Sequence, residues 1–137
     1  MAGSTRITFN PGFEPEKLLT QGHLWVAPVW NHTENKFTPR PVVIVGNAEA
    51  NDRIGLIINF VTKQGARDKF DVPVEYWKEA GLDCESWVRT AKPTTIVKTN
   101  LKLDPVSRQG IIRPRGYIGK LHEHDLTNVL AMCKSIF

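Results

Sequence analysis

The 137 residues, 41% hydrophobic and 23% charged, suffice for one globular domain with a single core and argue against extended disorder. Eighteen Lys and Arg against fourteen Asp and Glu give a net charge of +4 and a pI near 9.2, a mild tilt toward polyanions such as nucleic acid. Cys84 and Cys133 form neither a CxxC pair nor a disulfide framework, and no signal peptide or long apolar window is present. A reducing, cytoplasmic setting is therefore expected, with no secretion and no membrane partner.

Residues 1–21 are rich in Gly, Pro and charge and read as an N-terminal arm, with helix character only over Glu14 to Leu19; residues 22–137 read as the domain. His23 to Trp30 is aromatic and β-branched, a first strand interrupted or bulged at Pro28. A polar loop, Asn31 to Pro39, leads to the apolar strand Val42 to Val45. After the loop Ala48 to Arg53, Ile54 to Val61 is its expected antiparallel neighbour. Turn chemistry from Thr62 to Asp68 precedes an exposed edge strand, Phe70 to Val74, where Pro73 is tolerated. Glu75 to Ala80 is a short helical turn stopped by Gly81.

Ser86 to Arg89 and Thr94 to Lys98 read as two short strands split by Lys92-Pro93, Leu103 to Arg115 as loop, and Gly116 to Leu121 as a last strand. Then the period changes: Leu126, Val129, Leu130, Cys133 and Ile136 follow helical spacing from about Glu123 to the end, with Glu123 and Asp125 placed to favour the dipole. The fold class expected is α+β, mainly β: a small SH3-like or half-open antiparallel barrel with a C-terminal helix.

Arg40 stands between Pro39 and Pro41, which fix φ and stiffen the strand mouth, so the direction of its side chain is restricted. A guanidinium held there suits a phosphate, or it pairs with a local carboxylate. Thr62 ends the next apolar strand and either brings its hydroxyl near Arg40 or begins a turn. Arg89 precedes Thr90 and Lys92 at a third strand end, a cationic corner or a solvated edge. His32 and Glu34 are the acid–base groups of the long loop, available as a general base or simply solvated. His122-Glu-His-Asp125 reads as a helix start rather than a metal site, and no cofactor is expected. Trp25, Trp30, Phe37 and Trp87 could stack bases or pack in the core, and Arg108, Arg113, Arg115 and Lys120 form a basic run.

In this order the pieces resemble the MazF/PemK family of toxin endoribonucleases. The resemblance rests on Gly22-His-Leu-Trp25, Arg40-Pro-Val-Val-Ile-Val45, Leu56 to Thr62, Trp87-Val-Arg-Thr90 with Thr95-Ile96, Ile118-Gly-Lys-Leu121 and the helix Leu126 to Phe137. It implies a homodimer that cleaves single-stranded RNA at short sequences without a metal and is inhibited by a cognate antitoxin. By position it implies that Arg40 and Thr62 are catalytic, that Glu34 and His32 match loop residues of some members, and that Arg89 matches the catalytic arginine of the PemK/Kid branch. Lys63, Thr90, Lys92 and Trp30 are the RNA contacts expected around them. Ala91 stands where that branch carries an aspartate proposed as the base. Alternatives of other classes are a CcdB-like toxin that binds gyrase without catalysis and a catalytically decayed RNA- or protein-binding module.

Overall fold

Val42 to Ile44 and, apart from Ile57 and the buried polar Asn59, Leu56 to Val61 send side chains into cores on both sides of their strands, which is why these runs lack regular polar alternation. The computed structural model describes residues 13–51 and 55–137. The first part of the expected arm, the end of the 48–53 loop and Ile54 lie outside the described residues. The elements are β1 (His23–Asn31), β2 (Lys36–Ile44), β3 (Gly55–Thr62), β4 (Asp71–Pro73), β5 (Trp87–Val97), β6 (Pro105–Arg108), β7 (Ile111–Pro114), β8 (Tyr117–Lys120) and α1 (Glu123–Ile136). Six strands form one antiparallel sheet in the order β4-β5-β3-β2-β1-β8, left open between β4 and β8, while β6 and β7 pair as a separate ribbon. The mainly β, half-open fold with its C-terminal helix is as expected.

One core gathers Trp25, Ala27, Val42, Ile44, Leu56, Ile58 and Ile96. Leu19, just after a 3-10 turn over Pro15–Leu18, closes this core, and the Trp25 Nε1–H donates to the Leu18 carbonyl at 2.8 Å. The other core lies under α1, where Val129 and Leu126 meet Leu24, Val43, Val61, Val72 and Val88. Among the described residues no helix is long and apolar enough to cross a membrane.

Three segments differ from the sequence expectation, each for a local reason. The Asn31–Pro39 loop is largely strand: β1 and β2 run to the rung Asn31↔Lys36, leaving a four-residue tip. The Asn31 side-chain oxygen accepts the amides of Thr33 and Glu34 at 2.9 and 3.1 Å, and Asn35 supplies the positive φ of 54° that closes the turn. Pro39 and Pro41 are tolerated inside β2 because they lie on rungs that exchange no hydrogen bonds. The Val26 amide, opposite Pro41, points away from β2 to the Gly116 carbonyl at 2.8 Å, and Pro28 faces Pro39 on the next rung of that kind.

Trp87 to Val97 is one strand rather than two. Its Lys92-Pro93 interruption survives as a bulge, since between the rungs Ile58↔Thr94 and Phe60↔Arg89 one residue of β3 faces four of β5. Within Leu103 to Arg115, β6 and β7 form a hairpin across Gln109-Gly110, with φ of 53° and 80°, the pair of left-handed residues that a two-residue turn between twisted strands requires.

His23 is nearly buried, with Nδ1 2.7 Å from the Tyr117 hydroxyl. Burial, helped by the Lys120 charge, holds its pKa below the usual histidine value, and burial raises that of Tyr117, so the phenol donates to a neutral ring. The neutral ring's contribution to stability is complete above the unfolded pKa and is lost as pH falls through the lower folded value. Urea unfolding midpoints should therefore drop between about pH 7 and pH 5, and His23→Gln should flatten that limb relative to the parent protein.

Candidate functional site

β2 alternates, so Arg40 shares a face with Val42 and Ile44. On β3 the same face carries Phe60 and, two residues on, Thr62; on β5, Arg89 is Phe60's cross-strand partner. The paired register of β2 and β3 ends at Val42↔Phe60, and Arg40 and Thr62 each lie two residues beyond that last rung, where the strands part. Arg40 and Thr62 thus lie on one face of the sheet, at adjoining strand ends.

The half-buried Arg40 guanidinium lies over the Phe60 ring, 5.9 Å from its centroid. Among the described residues no carboxylate comes within ion-pair distance of it. Among the described residues its N–H donors make no hydrogen bond, so they and its charge are open to an anion. Thr62 is buried, and its Oγ1 accepts the Gln64 amide at 3.2 Å. That bond uses an acceptor lone pair and leaves the hydroxyl proton free to donate, so Thr62 both begins the turn and presents a donor.

Arg89 is placed differently. Its Nη1 lies 2.8 Å from Asp71 Oδ2, and the side chains are only 16% and 2% exposed. The same Oδ2 accepts the Arg67 amide at 2.8 Å. Asp71 lies in what the sequence suggests is an exposed edge strand, and sequence reasoning passes over it. The signal that exposes it is long-range: Asp71↔Arg89 is a rung of β4 and β5, visible only once those strands are paired.

His32 and Glu34 occupy the tip of the β1–β2 hairpin. Arg40 lies four positions along β2 from Lys36, beside the tip, about 13 Å at the usual strand rise. Glu34 engages Lys36 Nζ at 3.2 Å and the Asn31 amide at 3.3 Å, all exposed, and His32 meets the Trp30 ring edge-on at 6.4 Å. The fold does not bring them to Arg40. Thr90 is also set apart, because its side chain is buried and its hydroxyl donates to the Phe70 carbonyl at 2.7 Å, fastening β5 to the β4 end. Lys63 and Lys92 are exposed, and Trp30 packs edge-on against Phe37 at 5.1 Å with both rings open to solvent.

At the start of α1, His122 is the N-cap, its Nδ1 accepting the His124 amide at 3.0 Å, and its ring stacks on Tyr76 at 3.9 Å. Glu75, His124 and Asp125 bring potential ligand atoms within 4.8 Å of one another. Both Asp125 oxygens already accept backbone amides, those of Glu75 at 3.0 Å and Tyr76 at 2.9 Å, so the cluster works as a fastener between α1 and the β4 end.

A family model described as the PemK-like, MazF-like toxin of type II toxin-antitoxin systems matches residues 20–137. The chain belongs to this family. Among solved structures, the chain resembles an endoribonuclease from mycobacterial species at 13% identity, covering 85% of this chain and 88% of that one with a TM-score of 0.59. It also resembles the Mycobacterium tuberculosis toxin MazF-mt6 at 18% identity, covering 84% and 98% with a TM-score of 0.55. A MazE-MazF structure from Deinococcus radiodurans matches at 14% identity, covering 85% and 91% with a TM-score of 0.55. No curated protein sequence matches it directly.

Ala91, standing where the resemblance to the PemK/Kid branch implies an aspartate, is exposed on β5 two residues beyond Arg89. The carboxylate beside Arg89 comes instead from Asp71 on the adjoining strand.

Proposed function

We propose that the protein is the endoribonuclease toxin of its toxin-antitoxin pair, acting in the cytoplasm as a homodimer on single-stranded RNA at specific short sequences and held in check by a cognate antitoxin. The observation that carries this reading is the Arg40 guanidinium, without a carboxylate partner among the described residues and stacked over Phe60 on the face shared with Thr62. An anion entering this face meets a preset planar cation and a free hydroxyl proton beside an apolar floor, where electrostatic stabilisation exceeds its value in water.

In the proposed reaction the RNA 2′-oxygen attacks the adjacent phosphorus. The O2′–P bond forms, the P–O5′ bond breaks, the 2′-OH proton passes to a base and the departing 5′-oxygen gains a proton. The products are a 2′,3′-cyclic phosphate and a 5′-hydroxyl. Because the nucleophile belongs to the substrate and is held next to the phosphorus, the reaction needs no metal-bound water. Arg40 stabilises the charge that grows on the non-bridging oxygens, Thr62 donates to one of them, and Arg89 adds a second cationic donor. His32 or Glu34 accepts the proton by bending of the hairpin tip across the bound strand. Trp30, Lys63 and Lys92 flank the path of the RNA.

Incubating the purified protein with mixed-sequence RNA in EDTA, followed by analysis of the fragment ends, tests the proposal. Cleavage at a short recurring sequence, with cyclic phosphate and 5′-hydroxyl ends, is expected. Intact RNA at a large excess of protein would sink it.

A further inference from the structure

Arg89 and Asp71 form the one ion pair among the described residues in which both side chains are mostly buried. The acid contributes through a single oxygen, Oδ2, shared by the Arg89 guanidinium and the Arg67 amide, each at 2.8 Å. Arg67 belongs to the turn that follows Thr62, so the carboxylate ties the β3–β4 turn, β4 and β5 together at one atom. Arg89 uses one of its five N–H groups in this contact, and among the described residues the others make no hydrogen bond within the protein. Across the sheet, Phe60 is the direct partner of Arg89 and also carries the Arg40 guanidinium on its ring. Phe60 on β3 thus stands between two arginines of the flanking strands: Arg40 of β2 lies over its ring without a carboxylate partner among the described residues, and Arg89 of β5 is tethered to Asp71.

From this geometry we infer that Asp71 is a positioning residue for RNA cleavage, acting through Arg89. This inference rests on the function proposed above. Without its tether the long Arg89 side chain would sample many rotamers over the open face. With it, one edge of the guanidinium is fixed to β4 and the remaining donors are held toward the phosphate that Arg40 and Thr62 receive. The pair also divides the work. Asp71 offsets the charge of Arg89, whose contribution is placed hydrogen bonds, while Arg40 keeps an uncompensated charge. Asp71 itself does not take the 2′-OH proton, because its engaged oxygen already faces two donors and its side chain is only 2% exposed. Ala91 has no side chain that could hold Arg89 from its own strand, so the tether comes from the neighbouring strand.

The test is a double-mutant cycle on the full chain, with single-turnover and steady-state cleavage of a fluorogenic RNA containing the preferred sequence. Rates are normalised to the folded fraction from circular dichroism. Asp71→Asn keeps the shape and an acceptor for the Arg67 amide but loses the ion pair. It is expected to lower kcat by roughly 10-fold to 100-fold, the scale of a misplacement of about 1 Å, with little change in KM. In an Arg89→Ala background the same substitution is expected to change kcat by less than about 2-fold, because the group it acts through is gone. Asp71→Glu, which restores the charge, should recover part of the loss. Equal losses from Asp71→Asn in both backgrounds, or unchanged kcat in the single variant, would overturn the inference while leaving the endoribonuclease reading intact. Intact RNA with the parent protein would overturn both.

Discussion

Replacing Arg40 with alanine is expected to lower the cleavage rate by about 100-fold to 1000-fold, the usual cost of removing one preorganised donor from a developing oxyanion. The stability change should stay near 1 kcal/mol, since what holds the guanidinium among the described residues is its stacking over Phe60, worth about 0.5–1 kcal/mol at a half-exposed site. That separation of effects is the signature of a group held for chemistry rather than for folding. The residue is locked between two prolines on rungs that need no amide donor, so β2 keeps its course when the side chain is shortened. Arg40→Lys keeps the charge without the planar fork and should fall between parent and alanine variant. Arg89→Ala should cost less than Arg40→Ala, because Asp71 already offsets the Arg89 charge. Single-turnover rates and urea midpoints for the three variants decide the matter. A rate for Arg40→Ala within about 3-fold of the parent, well short of the donor-loss scale, would remove Arg40 from the mechanism.

Much of this site can be read in the linear chain, and the parts that cannot are those set by long-range pairing. The apolar runs of β2 and β3 announce two buried neighbours, and once they are antiparallel the start of β2 lies beside the end of β3, which puts Arg40 and Thr62 on one face at adjoining strand ends. The helix is equally legible, because Leu126, Val129 and Cys133 repeat at its period. By contrast, the β6–β7 ribbon is closed by Gln109 in a left-handed conformation, where an Asn-Gly pair would have given a plain hairpin signal. The long β1–β2 hairpin is hidden by Pro28, Pro39 and Pro41, which look like strand breakers until the pairing shows that their rungs need no donors. Asp71 is the clearest case. Alternation in Phe70 to Val74 puts it on the face away from Val72 and Val74, which for an edge strand suggests solvent. Only the pairing with β5 reveals Arg89 covering it.

Asp125 gives the largest expected loss of stability. In the linear chain it is one of two acids in the first turn of a helix, worth a fraction of a kcal/mol through the dipole. In the fold it is fully buried, and its two oxygens each accept one backbone amide, from Glu75 and Tyr76, across about fifty residues of chain. Hydrogen bonds to a charged acceptor contribute about 1.5–3 kcal/mol each, so Asp125→Ala should cost about 3–5 kcal/mol. The melting temperature should then fall by roughly 10–20 °C. Asp125→Asn keeps one carbonyl acceptor but turns an amino group toward the second backbone amide, so about half that loss is expected. Glu123→Ala is the control: it is exposed in the same helical turn and should change stability by no more than about 0.5 kcal/mol. Urea unfolding of the three variants separates a dipole effect, which would make the two alanine variants alike, from a buried fastener, which makes only position 125 costly. The consequence extends to the site, because the amides that Asp125 holds directly follow the strand carrying Asp71. Loosening this fastener should let β4 fray and release Arg89 before the rest of the sheet unfolds. Asp125→Asn, assayed well below its melting temperature, should therefore lose cleavage activity in the parent protein but little further activity in an Arg89→Ala background.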